Sequence, residues 1–260
     1  MLTCLACANI LNCLKKWIDM ALLTPIRSLL IALLLVQAPL ALASVVKEPP
    51  ASPNPDGRYM FLMFGLQTEI LGPDSYNQMY QKRYETTALA KAFSERGYTV
   101  ITEIRPRNTV EEDYSNKITT QVRQLMKQGV KPENIVVAGH SKGAVMTLVA
   151  AGMLSEASLK FVVMAGYALP STTRIANVNP RQLYTGFIEK YAPKAQGSML
   201  SIYDKEDHEF QTCQEYGQAA AGLKLTEKVV DSGSAPGKGH AAFYTPDSRW
   251  LDIVVDWLKH

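Results

Sequence analysis

Cysteine is scarce in this chain of 260 residues, which contains four in all. Cys4, Cys7 and Cys13 lie near the N-terminus, so Cys213 is the only one in the remainder of the chain. A lone cysteine cannot form an internal disulfide, and a disulfide-stapled fold is therefore excluded. Stability has to come from a buried core instead, and the hydrophobic content of 47% is ordinary for a globular protein that has one.

A strong charge imbalance is also missing. The chain has 27 basic and 24 acidic residues, a formal net charge of +3, and part of that excess lies near the N-terminus at Lys15, Lys16 and Arg27. No long run of like charges and no internal repeat is present. Nucleic acid is therefore not an expected partner, because nucleic-acid binding requires a concentrated basic surface.

A long apolar run occupies residues 28–43, directly after Arg27, and ends in Ala41-Leu42-Ala43. A basic residue, an apolar segment and a small-x-small site in this order are typical of a secretory signal peptide. We predict that Met20 is its natural start, that residues 1–43 are an N-terminal extension and signal peptide, and that cleavage follows Ala43. The expected location is secreted or periplasmic, without a stable membrane anchor after cleavage. The alternative is an uncleaved segment that anchors the protein in a membrane.

Residues 44–57 are rich in proline and polar side chains and are predicted to form an exposed linker before one domain at 58–260. In that domain, short apolar runs alternate with segments of helical period. We predict strands at 59–64, 98–104, 135–139, 160–165, 198–203 and 225–230, and helices at about 86–96, 113–128, 181–191, 214–221 and 248–258. Strands joined by helices run parallel. The predicted fold class is α/β, a three-layer sandwich with a mostly parallel sheet of about six strands flanked by helices.

The pattern G-x-S-x-G spans Gly139 to Gly143, after an apolar β-branched run and before a segment of small and apolar residues. This context predicts a strand, a sharp turn and a helix, which would expose the hydroxyl of Ser141 at the positive end of the helix. Ser141 is thus a candidate nucleophile. The alternative is a strand-to-helix turn rich in glycine and serine that has no chemistry.

A serine hydroxyl needs a neighbouring base, and an imidazole base needs a carboxylate to orient it. His240 follows the last predicted strand in a glycine-rich loop, and an acidic loop at 204–209 follows the strand at 198–203. These groups meet at one sheet edge if the strands are parallel. A metal site formed by Asp204, Asp207 and His208 is the weaker alternative, because no further ligand spacing is recognisable.

From Arg58 to His260 the sequence resembles the α/β-hydrolase superfamily, and in particular small bacterial members that have no large lid. The resemblance is carried by the Ser141 motif, the acidic loop and His240 in that order. It implies a reduced version of the fold that lacks the first two strands of the family. It also implies Asp207 as the catalytic acid, with Asp204 as the alternative.

The resemblance further implies an oxyanion hole made of two backbone N–H groups, from Leu66 and Lys142. Glu69, Arg105, Arg107 and Tyr167 stand near predicted strand ends and are candidates for lining the pocket. Arg105 and Arg107 have a solvated or surface ion-paired alternative. A lysine at a helix start is electrostatically unfavourable, so Lys142 hints at a nearby carboxylate or anion.

The predicted function is that of a serine hydrolase that cleaves an ester, thioester or related acyl bond of a small-molecule acyl substrate. No cofactor and no metal is implied. One alternative is a non-catalytic binding or signalling protein on the same scaffold. Another is an acyltransferase or peptidase that uses the same three residues. The short segment between Tyr167 and Pro193 predicts an open site, and the oligomeric state is not indicated.

Overall fold

The apolar runs form the strands of one parallel sheet in the computed structural model, which describes residues 44–166, 179–207, 212–233 and 237–260. The strands are β1 (Val45–Val46), β2 (Arg58–Met63), β3 (Tyr76–Asn77), β4 (Lys82–Arg83), β5 (Tyr98–Ile101), β6 (Ile135–His140), β7 (Lys160–Met164), β8 (Gln196–Asp204) and β9 (Gly222–Val230). The α-helices are α1 (Leu66–Leu71), α2 (Thr86–Ser94), α3 (Glu111–Lys127), α4 (Lys142–Leu154), α5 (Pro180–Tyr191), α6 (Gln214–Ala219) and α7 (Ser248–Trp257). Short 3₁₀ helices occupy Pro132–Asn134, Ala192–Lys194 and Gly239–Tyr244.

The main sheet of the described residues has seven strands in the order β1-β5-β2-β6-β7-β8-β9, and every neighbouring pair is parallel. Strand β6 is central, and all six of its residues are buried. In a parallel sheet the loops at the carboxyl ends of the strands share one edge. The residue that follows β6 therefore stands in the middle of that edge.

Helices cover both faces of the sheet, because alternate strand residues point to opposite sides. Phe61 of β2 packs on the face that carries α3, α4 and α5, with partners such as Val122 and Ile188. Met60 packs on the other face, with Phe93 of α2 and Trp250 of α7. Burial on both faces explains why the strands are apolar runs rather than strict alternations. The predicted three-layer α/β class is confirmed.

The sheet is one strand wider than expected, because part of the predicted linker pairs with it. Val45 and Val46 add a short parallel strand to the edge of β5, and Val100 and Thr102 donate backbone hydrogen bonds to the carbonyls of Ser44 and Val46. The prolines that suggested a linker begin only at position 49. The two valines are β-branched and retain their N–H groups, so they are suited to an edge strand.

The segment between β2 and α2, where the sequence predicts no helix or strand, is ordered structure. It contains helix α1 and the small antiparallel pair β3–β4, which joins Tyr76 to Arg83 and Asn77 to Lys82. Both elements are too short to give a clear hydrophobic period, which is why the sequence did not indicate them. In the described part of the chain, no helix is both long and apolar enough to span a bilayer.

Candidate active site

The turn between β6 and α4 holds Ser141 in a strained conformation. Its φ is 57° and its ψ is −119°, a region that residues with a Cβ rarely adopt. The backbone on both sides fixes this conformation, since the N–H of Ser141 donates to the carbonyl of Met164 and its own carbonyl accepts from Ala144 and Val145. The side chain is only partly buried. The hydroxyl is therefore partly accessible and lies at the N-terminus of helix α4.

The two glycines of the motif allow this turn to exist. A Cβ at Gly139 would lie 2.1 Å from the carbonyl oxygen of Gly143, and one at Gly143 would lie 2.2 Å from the carbonyl oxygen of Met63 in β2. Both distances are far below van der Waals contact with rigid backbone atoms. Strand β6, helix α4 and strand β2 can therefore approach only where these side chains are absent.

The imidazole of His240 lies beside this turn and is bound to Asp207. Nδ1 of His240 is 2.9 Å from Oδ2 of Asp207, and both side chains are at least nine-tenths buried. The ring centroid of His240 is 4.7 Å from that of His140, the residue before Ser141. The structure thus brings the predicted base, the predicted acid and the predicted nucleophile to one place.

Asp204 is also in this loop but faces the backbone. Its carboxylate accepts from the amides of Glu206 at 2.9 Å, Gly239 at 3.1 Å and Ser232 at 2.8 Å, and the residue is fully buried. It therefore joins the end of β8, the end of β9 and the loop that carries His240. The geometry favours Asp207 over Asp204 as the partner of the histidine.

Leu66 and Lys142 are the first residues of α1 and α4. The first amides of a helix have no acceptor within that helix, so both N–H groups are available to an external acceptor. The two turns lie against each other, since a Cβ at Gly65 would lie 3.2 Å from the Cβ of Ser141. This position suits a pair of oxyanion donors, and their role remains a prediction.

The side chain of Lys142 points away from the cleft into a buried ion-pair cluster. Glu69 binds Lys142 Nζ through Oε2 and Arg105 Nε through Oε1, each at 2.8 Å, and all three side chains are at least 95% buried. Arg105 also donates to the carbonyl of Phe64 at 2.6 Å. Glu69 is thus the nearby carboxylate that the unfavourable position of Lys142 suggested.

The cluster changes the interpretation of the other pocket candidates. Glu69 and Arg105 lie beneath the cleft rather than in its wall, because their charged groups form an ion pair with each other in the interior. Arg107 is exposed and donates to the carbonyl of Ile70 at 2.7 Å. Tyr167 lies outside the described residues. None of the three placed side chains is available to bind a substrate anion in the cleft.

The cleft at this edge has a volume of about 710 Å³, within the usual range for small-molecule sites. Ser141, Asp207 and His240 lie in its wall. The remaining lining residues are mostly apolar or aromatic, such as Leu66 and Tyr80, with a few amides and charges at the rim. Such a wall fits an organic acyl group better than a strongly charged ligand.

Several residues around this cleft were missed by the sequence analysis. Tyr84 and Tyr244 stack at 4.3 Å with parallel rings, and Tyr80 packs at an angle on Tyr244 and on His240. The signal that would have found two of them is the recurrence of tyrosine at positions 76, 80 and 84 within an otherwise polar segment. Tyrosine repeated every fourth residue there indicates packing against a neighbouring element.

His140 is a further buried polar residue at the site. Burial and the neighbouring His240 lower the pKa of His140 well below its ordinary value of 6.5. The ring is therefore neutral at physiological pH. Among the described residues, no group of three or more His, Cys, Asp or Glu side chains is arranged to hold a metal ion. The expectation that no metal is needed stays a prediction.

Comparison with known proteins agrees with this geometry. Residues 100–192, which include the Ser141 turn, match the family model of phospholipases and carboxylesterases. A solved structure of a truncated carbohydrate esterase from gut microbiota aligns over 81% of this chain and 87% of its own length, with a TM-score of 0.50 and 14% identity. The chain has the α/β-hydrolase fold. The resemblance predicted from the Ser141 motif is therefore confirmed at the level of the fold.

Two further structures are similar to this chain at lower TM-scores. Est1E from Butyrivibrio proteoclasticus is 14% identical, with a TM-score of 0.48. The alignment covers 81% of this chain and 88% of Est1E. The 2,6-dihydroxy-pseudo-oxynicotine hydrolase is 15% identical, with a TM-score of 0.49 over 80% of this chain. The present chain covers only 61% of that hydrolase. No curated protein matches the sequence.

Proposed function

We propose that this α/β-hydrolase is a serine hydrolase that cleaves an ester, thioester or related acyl bond of a small molecule through an acyl-enzyme on Ser141. The observation that carries the proposal is the His240–Asp207 hydrogen bond of 2.9 Å beside the strained Ser141 turn. The match of residues 100–192 to phospholipases and carboxylesterases supports the same bond class.

The chemistry assigns one step to each group. The Ser141 oxygen attacks the acyl carbon while Nε2 of His240 takes the hydroxyl proton, and the amides of Leu66 and Lys142 stabilise the oxyanion. His240 then gives the proton to the departing alcohol or thiol. A water molecule, deprotonated by the same nitrogen, releases the acyl group. Asp207 keeps the proton of His240 on Nδ1 and stabilises the imidazolium.

A fluorophosphonate probe tests the nucleophile. We expect covalent labelling of the wild-type protein and its complete loss in Ser141→Ala. Ser52→Ala is the matched control, because Ser52 is exposed in the N-terminal part of the described chain, and its labelling is expected to equal the wild type. Absence of labelling on folded wild-type protein would instead support a non-catalytic binding protein on this scaffold.

Product analysis separates hydrolysis from acyl transfer. With a p-nitrophenyl ester as the substrate, we expect release of the free acid in buffer, at a rate that added alcohols or amines leave unchanged. Transfer to the added acceptor as the main product would favour the acyltransferase alternative. Cleavage of peptide bonds in preference to esters would favour the peptidase alternative.

Export from the cytoplasm is the remaining part of the proposal. Its support is the basic residue, apolar run and Ala41-Leu42-Ala43 site in residues 27–43. N-terminal sequencing of the protein purified from its native source is expected to begin at Ser44. A protein that still carries residues 28–43 would favour the anchored alternative.

A further inference from the structure

A series of hydrogen bonds connects the turn at Gly65 and Leu66, which supplies a proposed oxyanion donor, to the loop that carries His240. The amide of Gly65 donates to the hydroxyl of Tyr84 at 3.1 Å, and that hydroxyl lies 2.9 Å from Nδ1 of His140. The opposite nitrogen of His140, Nε2, lies 3.1 Å from the carbonyl oxygen of His240. Tyr84 and His140 are both buried, so no solvent competes for these contacts.

The partners determine the direction of every bond in this series. A carbonyl oxygen can only accept, so Nε2 of His140 carries a hydrogen and donates to His240. In a neutral ring Nδ1 is then an acceptor, and the Tyr84 hydroxyl donates to it. The oxygen of Tyr84 is left to accept from Gly65. If His140 were protonated, its Nδ1 could no longer accept the hydrogen of the Tyr84 hydroxyl. Among the described residues, the Tyr84 hydroxyl has no other hydrogen-bond acceptor.

The hydrogen-bond series ends at two backbone segments whose placement the proposed reaction requires. Gly65 precedes Leu66, the proposed first oxyanion donor, and a Cβ on Gly65 would lie 3.2 Å from the Cβ of Ser141. At the other end is the main chain of His240, the proposed base. The stacking of Tyr84 on Tyr244 at 4.3 Å prevents the phenol from moving out of line.

We infer that Tyr84 and neutral His140 form a positioning unit that holds the oxyanion donor and the general base at matched positions on either side of Ser141. The inference rests on the proposed function, since it concerns the same site. Neither residue touches the reacting atoms. Their action is to prevent small displacements, and displacements of about 1 Å reduce rates by up to about 10²-fold.

The test compares the activities of two Tyr→Phe variants, each of which loses one phenol hydroxyl. Tyr84→Phe removes the hydroxyl and keeps the stacked ring, and it is expected to lower kcat for p-nitrophenyl acetate by about 10- to 100-fold with little change in KM. The matched control is Tyr59→Phe, because Tyr59 is also buried and its hydroxyl also makes a backbone hydrogen bond, donated to the carbonyl of Asn54 at 3.1 Å, but at the opposite edge of the sheet. Its kcat is expected to stay at the wild-type value.

A second pair of variants keeps the inference testable if Tyr84→Phe folds poorly. Asparagine can place a carbonyl oxygen where Nδ1 of His140 lies, so His140→Asn is expected to retain a larger share of kcat than His140→Ala. Long-range ¹H–¹⁵N spectra of the wild-type imidazoles give a readout independent of activity. His140 is expected to carry its proton on Nε2 and His240 on Nδ1.

The outcomes separate the two proposals. Activity that is lost in Ser141→Ala but unchanged in Tyr84→Phe overturns the positioning unit and leaves the hydrolase intact. A His140 proton on Nδ1 also overturns it, and so does an equal loss of kcat in Tyr59→Phe. Activity that persists in Ser141→Ala overturns the proposed function itself.

Discussion

Asp204 and Asp207 are three positions apart in one loop, yet they have different tasks. Asp207 accepts from the His240 imidazole, whereas Asp204 accepts from three backbone amides of separate segments. A carboxylate held by several amides contributes to folding rather than to proton transfer. The two buried aspartates therefore differ in their contacts, which separates the proposed catalytic acid, Asp207, from a carboxylate that holds backbone segments together, Asp204.

The pair Asp207→Asn and Asp204→Asn tests this division. Asp207→Asn is expected to lower kcat by about 10³- to 10⁴-fold with a nearly unchanged melting temperature, because an asparagine no longer stabilises the imidazolium. Asp204→Asn is expected to reduce the free energy of unfolding by about 1.5–3 kcal/mol, because its new NH₂ group faces an amide N–H. Ester turnover and thermal unfolding measure the two effects. The opposite assignment of losses would identify Asp204 as the acid.

At the scale of elements, the site depends on close contact between β6, α4 and β2. Gly143 lies at the contact of α4 with β2, and its missing side chain sets how near the helix can come. The strained Ser141 precedes it, so a shift of the helix would move the nucleophile and the Lys142 amide together. Helix packing and the position of the proposed nucleophile are therefore coupled at this glycine.

Gly143→Ala and Gly186→Ala compare the same change in two helices. Gly143→Ala is expected to destabilise the protein by about 1–3 kcal/mol and to lower kcat, since the new Cβ would meet the Met63 carbonyl. Gly186→Ala in α5 meets no atom of the described residues within 4 Å and is expected to stabilise by about 0.5–1 kcal/mol without changing activity. Urea unfolding and ester turnover check both. A neutral Gly143→Ala would show that α4 does not fix the turn.

At the scale of the whole molecule, the buried neutral His140 makes global stability depend on pH. Its folded pKa lies below 6.5 because of burial and His240. Below pH 6.5 the unfolded chain therefore binds a proton that the folded chain does not. The free energy of unfolding contributed by this site is fully present above pH 6.5 and falls as the pH is lowered.

Urea unfolding at pH 7 and pH 5 measures this dependence. The wild-type free energy of unfolding is expected to fall by up to about 1.4 kcal/mol per pH unit more steeply than that of His140→Asn, which has no ionisable ring. His140→Asn is the control for the wild type, because the two proteins share every titrating group except the His140 imidazole. Equal slopes in the two proteins would mean that His140 is protonated in the folded state.

Much of the architecture could be predicted from local sequence patterns. The periodicity of apolar residues located the six main strands and the helices between them, and the glycine spacing around Ser141 indicated a sharp turn. The elements that were missed are short. Helix α1, the β3–β4 pair and the two-residue strand β1 have too few residues for a period to appear, and they are ordered by contacts with distant parts of the chain.

The α/β class, the central strand that ends at Ser141 and the order of serine, acidic loop and histidine could all be read from the amino-acid sequence, because local patterns of apolar residues and glycines reveal each element separately. Three further facts required the folded molecule: Asp207 rather than Asp204 contacts His240, Glu69 and Arg105 pair in the interior, and the Tyr84 hydroxyl contacts His140. Each of these contacts joins residues from 33 to 56 positions apart. Their side-chain directions follow from packing and hydrogen bonding in the folded molecule, which no local pattern encodes.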